Sequence, residues 1–280
     1  MGFFKGSVRS ALSAAMLAVM LLALFAPTVN ANTYNLTAPN RPAICSGNQG
    51  SWDGSTYVCT WDRPLTLNPG DVVLSNGPIT ILSQNGINVT NVTFGGNGNS
   101  INLRAGGSGN IQLNNSTLFG SITNTPRAQL EDGSVVHGTI NTSSTVIVND
   151  STVHGSVLSG APLTANGATF NSSVSSNSSL TIDNSEVVGT TSSANNFSAT
   201  NTVFGNNVTS VGALTITNAE ISGNLQAANA MNLIEVNVSG TTTSTNGLIN
   251  ISGGGYSGLV RSNCCKVTIE SAAVILAGVT

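Results

Sequence analysis

The chain has 280 residues, of which 7% are charged and 40% hydrophobic, and eleven acidic against eight basic residues give a formal charge of −3. An acidic, charge-poor chain lacks the basic surface that nucleic acid requires, and high apolar content with little charge is the reverse of a disordered composition. Polarity is carried instead by Asn, Ser, Thr and Gly interleaved with β-branched residues, a mixture that suits stacked strands better than helices.

Residues 1–31 read as a secretory signal peptide. Lys5 and Arg9 precede an apolar run from Ala11 to Phe25, and small residues at Val29 and Ala31 suit cleavage after Ala31. The run is shorter than the roughly 20 residues that span a bilayer. The expected location is therefore secreted or on the outer cell surface, by bacterial-type export, with no transmembrane span once the signal is removed.

Residues 32–75 are non-repetitive and read as an N-terminal cap. They carry Trp52, Trp61, Tyr34 and Tyr57, together with Cys45 and Cys59 around a Gly-rich loop. Export places these cysteines in an oxidising compartment, so a Cys45–Cys59 disulfide is expected. For the adjacent Cys264 and Cys265, a vicinal ring, a bridge to another chain and free thiols all stay open. No CxxC pair is present, and no metal or cofactor is expected.

Residues 76–280 are repetitive. Leu113-Asn-Asn-Ser-Thr-Leu118-Phe-Gly120 recurs as Val148-Asn-Asp-Ser-Thr-Val153-His-Gly155, as Ile182-Asp-Asn-Ser-Glu-Val187-Val-Gly189 and as Ile216-Thr-Asn-Ala-Glu-Ile221-Ser-Gly223. Ten copies start at 113, 131, 148, 165, 182, 198, 216, 233, 251 and 269. Self-similarity at so nearly fixed a period, about 17 residues, is the signature of a repeat architecture. Five positions after each start stand Leu118, Val136, Val153, Phe170, Val187, Val203, Ile221, Val238, Tyr256 and Val274. The column two positions before each start is apolar except at Gln129 and Asn196, where the register slips.

Short alternating apolar pairs carry the strand period, and the Asn, Ser and Gly between them favour turns and left-handed backbone. A unit this short cannot hold itself together. It can form one coil whose strands pair with the coils above and below at about 4.8 Å. The fold class is all-β, a single-stranded parallel β-helix (solenoid), triangular in section and expected to be right-handed, since the strict hexapeptide rhythm of left-handed helices is absent. Asn115, Asp150, Asn184 and Asn218 should form a polar ladder at one corner. The repeat continues to Thr280 without a polar cap, so three expectations stay open: a longer protein continues from here, the open last coil pairs with another subunit, or that coil frays.

The layout resembles a known family. A Cys- and Trp-containing start, Asn/Ser/Thr/Gly-rich short repeats and the step Ser262-Asn-Cys264-Cys265-Lys-Val267-Thr268 are similar to the N-terminal region of MSHA-type pilus biogenesis protein Q. The resemblance implies an exported, pilus-linked component. The coil rhythm alone also resembles bactofilins, which polymerise end to end through their solenoids.

Candidate chemistry is sparse. Lyases and hydrolases built on β-helices need clustered carboxylates. Here Glu186 and Glu220 share a column two coils apart, and Asp150 and Asp183 approach only across a coil bearing Gly167. His137 and His154 each stand six positions after a repeat start and should stack on adjacent coils, flanked by Phe119 and Asn171; two imidazoles alone make an incomplete metal site. Thr117, Thr152 and Thr169 share a column interrupted by Ser134, Glu186 and Glu220, which is too irregular for an ice-binding array. The expectation is a structural rod or adhesin stalk without catalytic residues. Its partners would be other surface or pilus proteins, or further copies joined through the last coil, with weak carbohydrate binding on the Asn/Ser/Thr faces. The alternatives are a secreted polysaccharide-active enzyme and a self-polymerising filament subunit.

Overall fold

A computed structural model describes residues 31–36, 42, 45, 50–61, 65, 67–96, 98–270 and 273–280. The signal-peptide reading falls on residues 1–31, of which all but Ala31 lie outside the described residues. The unit Ala31–Thr280 is a β-solenoid of parallel strands with roughly 17 residues per turn.

Each regular coil lays down three strands. In the coil beginning at Asn110 these are Asn110–Asn114, Thr117–Leu118 and Ile122–Thr125. Each finds its parallel partner one coil on, in Arg127–Glu131, Val135–Val136 and Ile140–Thr142 respectively. The result is three ladders, here termed the first, second and third faces. Among the described residues the third face alone is a sheet of 13 strands. The first and second faces merge into a sheet of 21 strands because Phe197–Phe204, Leu214–Ile221 and Met231–Val238 run straight round the corner between them.

Alternation decides what lies inside. Ile111, Leu113, Leu118 and Ile122 are buried, while Gln112 and Thr117 between them are partly exposed. Stacked coil on coil, the inward positions form unbroken columns such as Leu118, Val136, Val153, Phe170, Val187 and Phe204. Each such side chain contributes about 1.5–3 kcal/mol by leaving water. The column is longer than any one coil, so that gain accrues only to the stack.

The corner between the first and second faces explains the repeat's most regular polar position. Asn91, Asn115, Asp132, Asp150, Asn184, Asn201 and Asn218 all adopt left-handed backbone, with φ between 42° and 55°. Asn and Asp tolerate this conformation better than other non-glycine residues. Gly167 and Gly253 fill the same column, at φ 64° and 76°. Part of the expected ladder is hydrogen-bonded: Asn218 Nδ2 donates to Asn201 Oδ1 (2.7 Å) and Asn201 Nδ2 to Asn184 Oδ1 (3.0 Å), and where Gly167 interrupts the column Asn184 Nδ2 turns to Asn166 Oδ1 of the adjacent one (2.8 Å).

The register differs from the expected one at three copies, and at two of them the corner shows why. Gly133 adds a second positive-φ residue after Asp132, so Leu130 pairs with Leu113 and Ala128 with Ile111; the copy starts at Leu130, not Glu131. With Asn201 as corner residue, Ala199 and Phe204 face inward and Val203 is 45% exposed, in place of the expected inward Val203. Ile275, not Val274, pairs with Tyr256. In the second and third cases two adjacent apolar residues compete for one inward position, and in the second the corner at Asn201 chooses between them.

Before residue 113 the coils are longer. Phe94 pairs with Leu118, Val73 with Phe94, and Tyr34 with Val73, each pair further apart along the chain than the partners of a regular coil. The parallel ladders therefore begin within residues 32–75, through Thr33–Leu36, Val58–Trp61 and Val72–Ser75. These unequal loops hide the period. The third face ends in an antiparallel pairing of Gly50–Asp53 with Val58–Trp61. Asp71, fully buried, accepts from the Asn32 and Asn68 amides at 2.7 and 2.8 Å and ties the first strand down. Cys45 and Cys59 are bonded and buried beneath this region.

Candidate functional site

Open troughs indent the described surface, beside groups of side chains that the sequence brought forward. The first lies against the His column. Residues in this column follow the inward apolar position of the second face, so each amide donates to a carbonyl of the coil before: His137 to Leu118, His154 to Val136 and Asn171 to Val153, each at 2.9–3.0 Å. The side chains stack along the axis. The Phe119 and His137 ring centroids are 4.3 Å apart and nearly parallel, and those of His137 and His154 are 4.7 Å apart. Asn171 Nδ2 and His154 Nδ1 lie 2.7 Å apart, within hydrogen-bond distance, and continue the column to the next coil.

Stacking turns the ring faces toward one another and leaves their edges to solvent. Partial burial, and then the neighbouring His154, hold the His137 pKa below its ordinary value of 6.5. A trough of about 320 Å³ runs beside the stack, bordered by Asn99, Asn102, Phe119, Ser121 and His137. Among the described residues no group of three or more His, Cys, Asp or Glu side chains is placed to hold a metal ion.

The second trough, of about 280 Å³, lies where Glu220, Glu235, Asn218 and Asn237 meet. Glu186 and Glu220 do share an outward column, separated by Val203 of the intervening coil. Asp150 and Asp183 do not share one. Asp150 sits in the left-handed corner column, whereas Asp183 pairs with Asn166 and Thr200 one position earlier. Glu235 occupies the corner column at φ 52°, a conformation unusual for glutamate. Tyr256 lies in the core nearby, and its hydroxyl has no hydrogen-bond partner among the described residues. Burial, and then the Glu235 charge, push its pKa well above the phenol range.

The third trough, of about 390 Å³, is lined by hydroxyls of the third face, among them Ser175, Ser192, Thr209 and Thr245. Ser192 Oγ donates to Ser175 Oγ at 2.9 Å, so neighbouring coils share hydrogen bonds across the surface. The threonine column of the second face is also corrected: Val135, not Ser134, stands between Thr117 and Thr152, because Ser134 is turned inward and fully buried.

One ladder went unnoticed in the sequence. Ser159, Ser176, Ser193, Ser210, Ser244 and Ser262 point inward at the corner between the third and first faces. Each Oγ donates to a backbone carbonyl of the preceding coil's corner, at 2.7–2.9 Å. The period was visible, since from Ser159 to Ser262 serine recurs there in every coil except at Ala227, with Thr142 and Thr125 in the two coils before. In a chain so rich in serine it does not stand out by composition. Beyond that ladder, Cys264 and Cys265 are bonded to each other at an exposed corner, with Cα atoms 3.7 Å apart. No family model, no curated protein and no solved structure matches this chain.

Proposed function

We propose that this chain is an exported structural rod, a spacer or adhesin stalk in a cell-surface or pilus-linked assembly, and that it works without catalysis. The observation that carries this reading is the continuity of the three ladders. From Thr33 to Ile275 successive coils are joined by parallel strand pairing, with the same inward columns running through them. Between the ladders the corners are bonded as well, by the Asn and Ser series. Such a stack holds two points at a fixed separation, set by the number of coils. The outer positions are mostly short and uncharged, which suits a surface that displays or spaces. The partners in this reading are other surface or pilus proteins.

The test is to delete whole coils and follow surface assembly or cell adhesion. A rod loses function gradually with length, whatever side chains the deleted coil carried. A polysaccharide-active enzyme behaves differently. Calcium-dependent degradation of an acidic polysaccharide, abolished by Glu186→Gln or Glu220→Gln in a folded protein, would overturn the structural reading.

A further inference from the structure

The two disulfides sit in opposite environments. Cys45 and Cys59 are fully buried in the hydrophobic core. Cys264 and Cys265 are both exposed, on the corner that joins Val260–Ser262 of the third face to Val267–Glu270 of the first. That corner is one residue longer, from Ser262 to Val267, than the corner from Ser210 to Leu214 in a regular coil. The backbone is held from below: the Cys265 amide donates to Ser262 Oγ at 3.0 Å, and Cys265 Sγ stands 4.0 Å from the Asn246 carbonyl oxygen.

Charge marks the same corner. After Arg127 the sequence holds only two Lys or Arg residues, Arg261 and Lys266, and they bracket the cysteine pair. Both are exposed. Cationic, solvent-accessible surroundings favour the thiolate form of cysteine and so make it a better leaving group in exchange. The buried pair lacks that access, since both of its cysteines are fully buried.

We infer that Cys264–Cys265 is a thiol–disulfide exchange site for an anionic, low-molecular-weight thiol, while Cys45–Cys59 is structural. The incoming thiolate attacks one sulfur of the vicinal pair. A new S–S bond forms to that sulfur, the Cys264–Cys265 bond breaks, and the electron pair leaves on the other cysteine as a thiolate beside Lys266 and Arg261. That thiolate either attacks the mixed disulfide and restores the ring, expelling the incoming thiol, or waits for a second thiol. The second thiol removes the first as a small-molecule disulfide and leaves Cys264 and Cys265 as a dithiol, a two-electron reduction. The cations select the class of thiol, since they attract one that carries carboxylates.

The test is graded treatment of the full chain with glutathione, followed by alkylation and peptide mass spectrometry. The expected result is glutathione adducts or alkylation at Cys264 and Cys265, with Cys45 and Cys59 unlabelled until denaturant is added. Equal or earlier labelling of Cys45 and Cys59 would overturn the assignment, as would an inert vicinal pair. The Arg261→Gln/Lys266→Gln double variant tests the charge argument. Its exchange with glutathione should slow about three- to tenfold at low salt, and its exchange with neutral 2-mercaptoethanol should stay within about twofold of the parent. Equal slowing with both thiols would exclude selection by charge. Circular dichroism of the same samples separates a local chemical change from loss of the solenoid.

Discussion

At the residue scale, the inward column of the third face carries hydroxyls that do nothing for the core. The column runs Val174, Thr191, Val208, Leu225, Thr242 and Val260, and Thr191 Oγ1 and Thr242 Oγ1 are buried with no hydrogen-bond partner among the described residues. Valine has nearly the same shape and nothing to desolvate. Thr191→Val and Thr242→Val should each stabilise the solenoid by about 1 kcal/mol, read as a higher denaturation midpoint in urea. The serine ladder behaves oppositely, because removing a hydroxyl there breaks a hydrogen bond to the corner of the preceding coil. His137 gives a pH test. Its folded pKa is depressed, so the unfolded chain takes up the proton more readily. The associated stability is present above the unfolded value of 6.5 and lost as pH falls through the folded value. Replacing it as His137→Asn should flatten the stability profile on the acid side of that value, measured by thermal melts from mildly acidic to mildly basic pH.

At the scale of the element, corners rather than strands set the register. The strand pattern alone leaves Val203 and Phe204 equivalent, and only Asn201 in the left-handed corner decides between them. This is why the coil period and most inward columns could be read from the sequence, whereas the copies near Glu131, Ser198 and Val274 could not. The His stack was legible because His137 and His154 each directly follow a residue of the inward column, Val136 and Val153, and that column was read correctly even though the first copy's start was one residue off. The serine ladder was missed for a different reason: its polarity looks like surface, and only the inward turn of the backbone shows it to be core. Glu235 departs from the corner rule, standing where asparagine serves elsewhere. Glu235→Asn should relieve the unfavourable backbone and extend the ladder beyond Asn218. The expected gain is about 0.5–1 kcal/mol, checked by chemical denaturation beside Glu235→Gln, which keeps the length but not the fit.

At the scale of the whole Ala31–Thr280 unit, coils are interchangeable to the extent that their columns agree. Leu163 and Leu180 occupy the same position on successive coils. Deleting residues 163–179 removes one whole repeat and joins like to like. The product should keep the parent's β-sheet circular dichroism and be shorter by about 4.8 Å in small-angle scattering. Deleting only residues 163–172 shifts the columns out of phase, and that protein should unfold or aggregate. The two deletions together distinguish a stack held by column matching from one held by a few special contacts.

The backbone hydrogen bonds of the three faces all point along the direction in which the coils are piled. A pull applied at the two ends of the pile therefore loads those bonds one coil at a time, as a zipper is opened, rather than all at once in shear. Each regular coil released frees about 17 residues, roughly 55–60 Å of extended chain, and the longer coils before residue 113 free more. A pile of this kind gives way in a series of small steps, so a tug at its ends is met by paid-out length rather than by one concerted rupture.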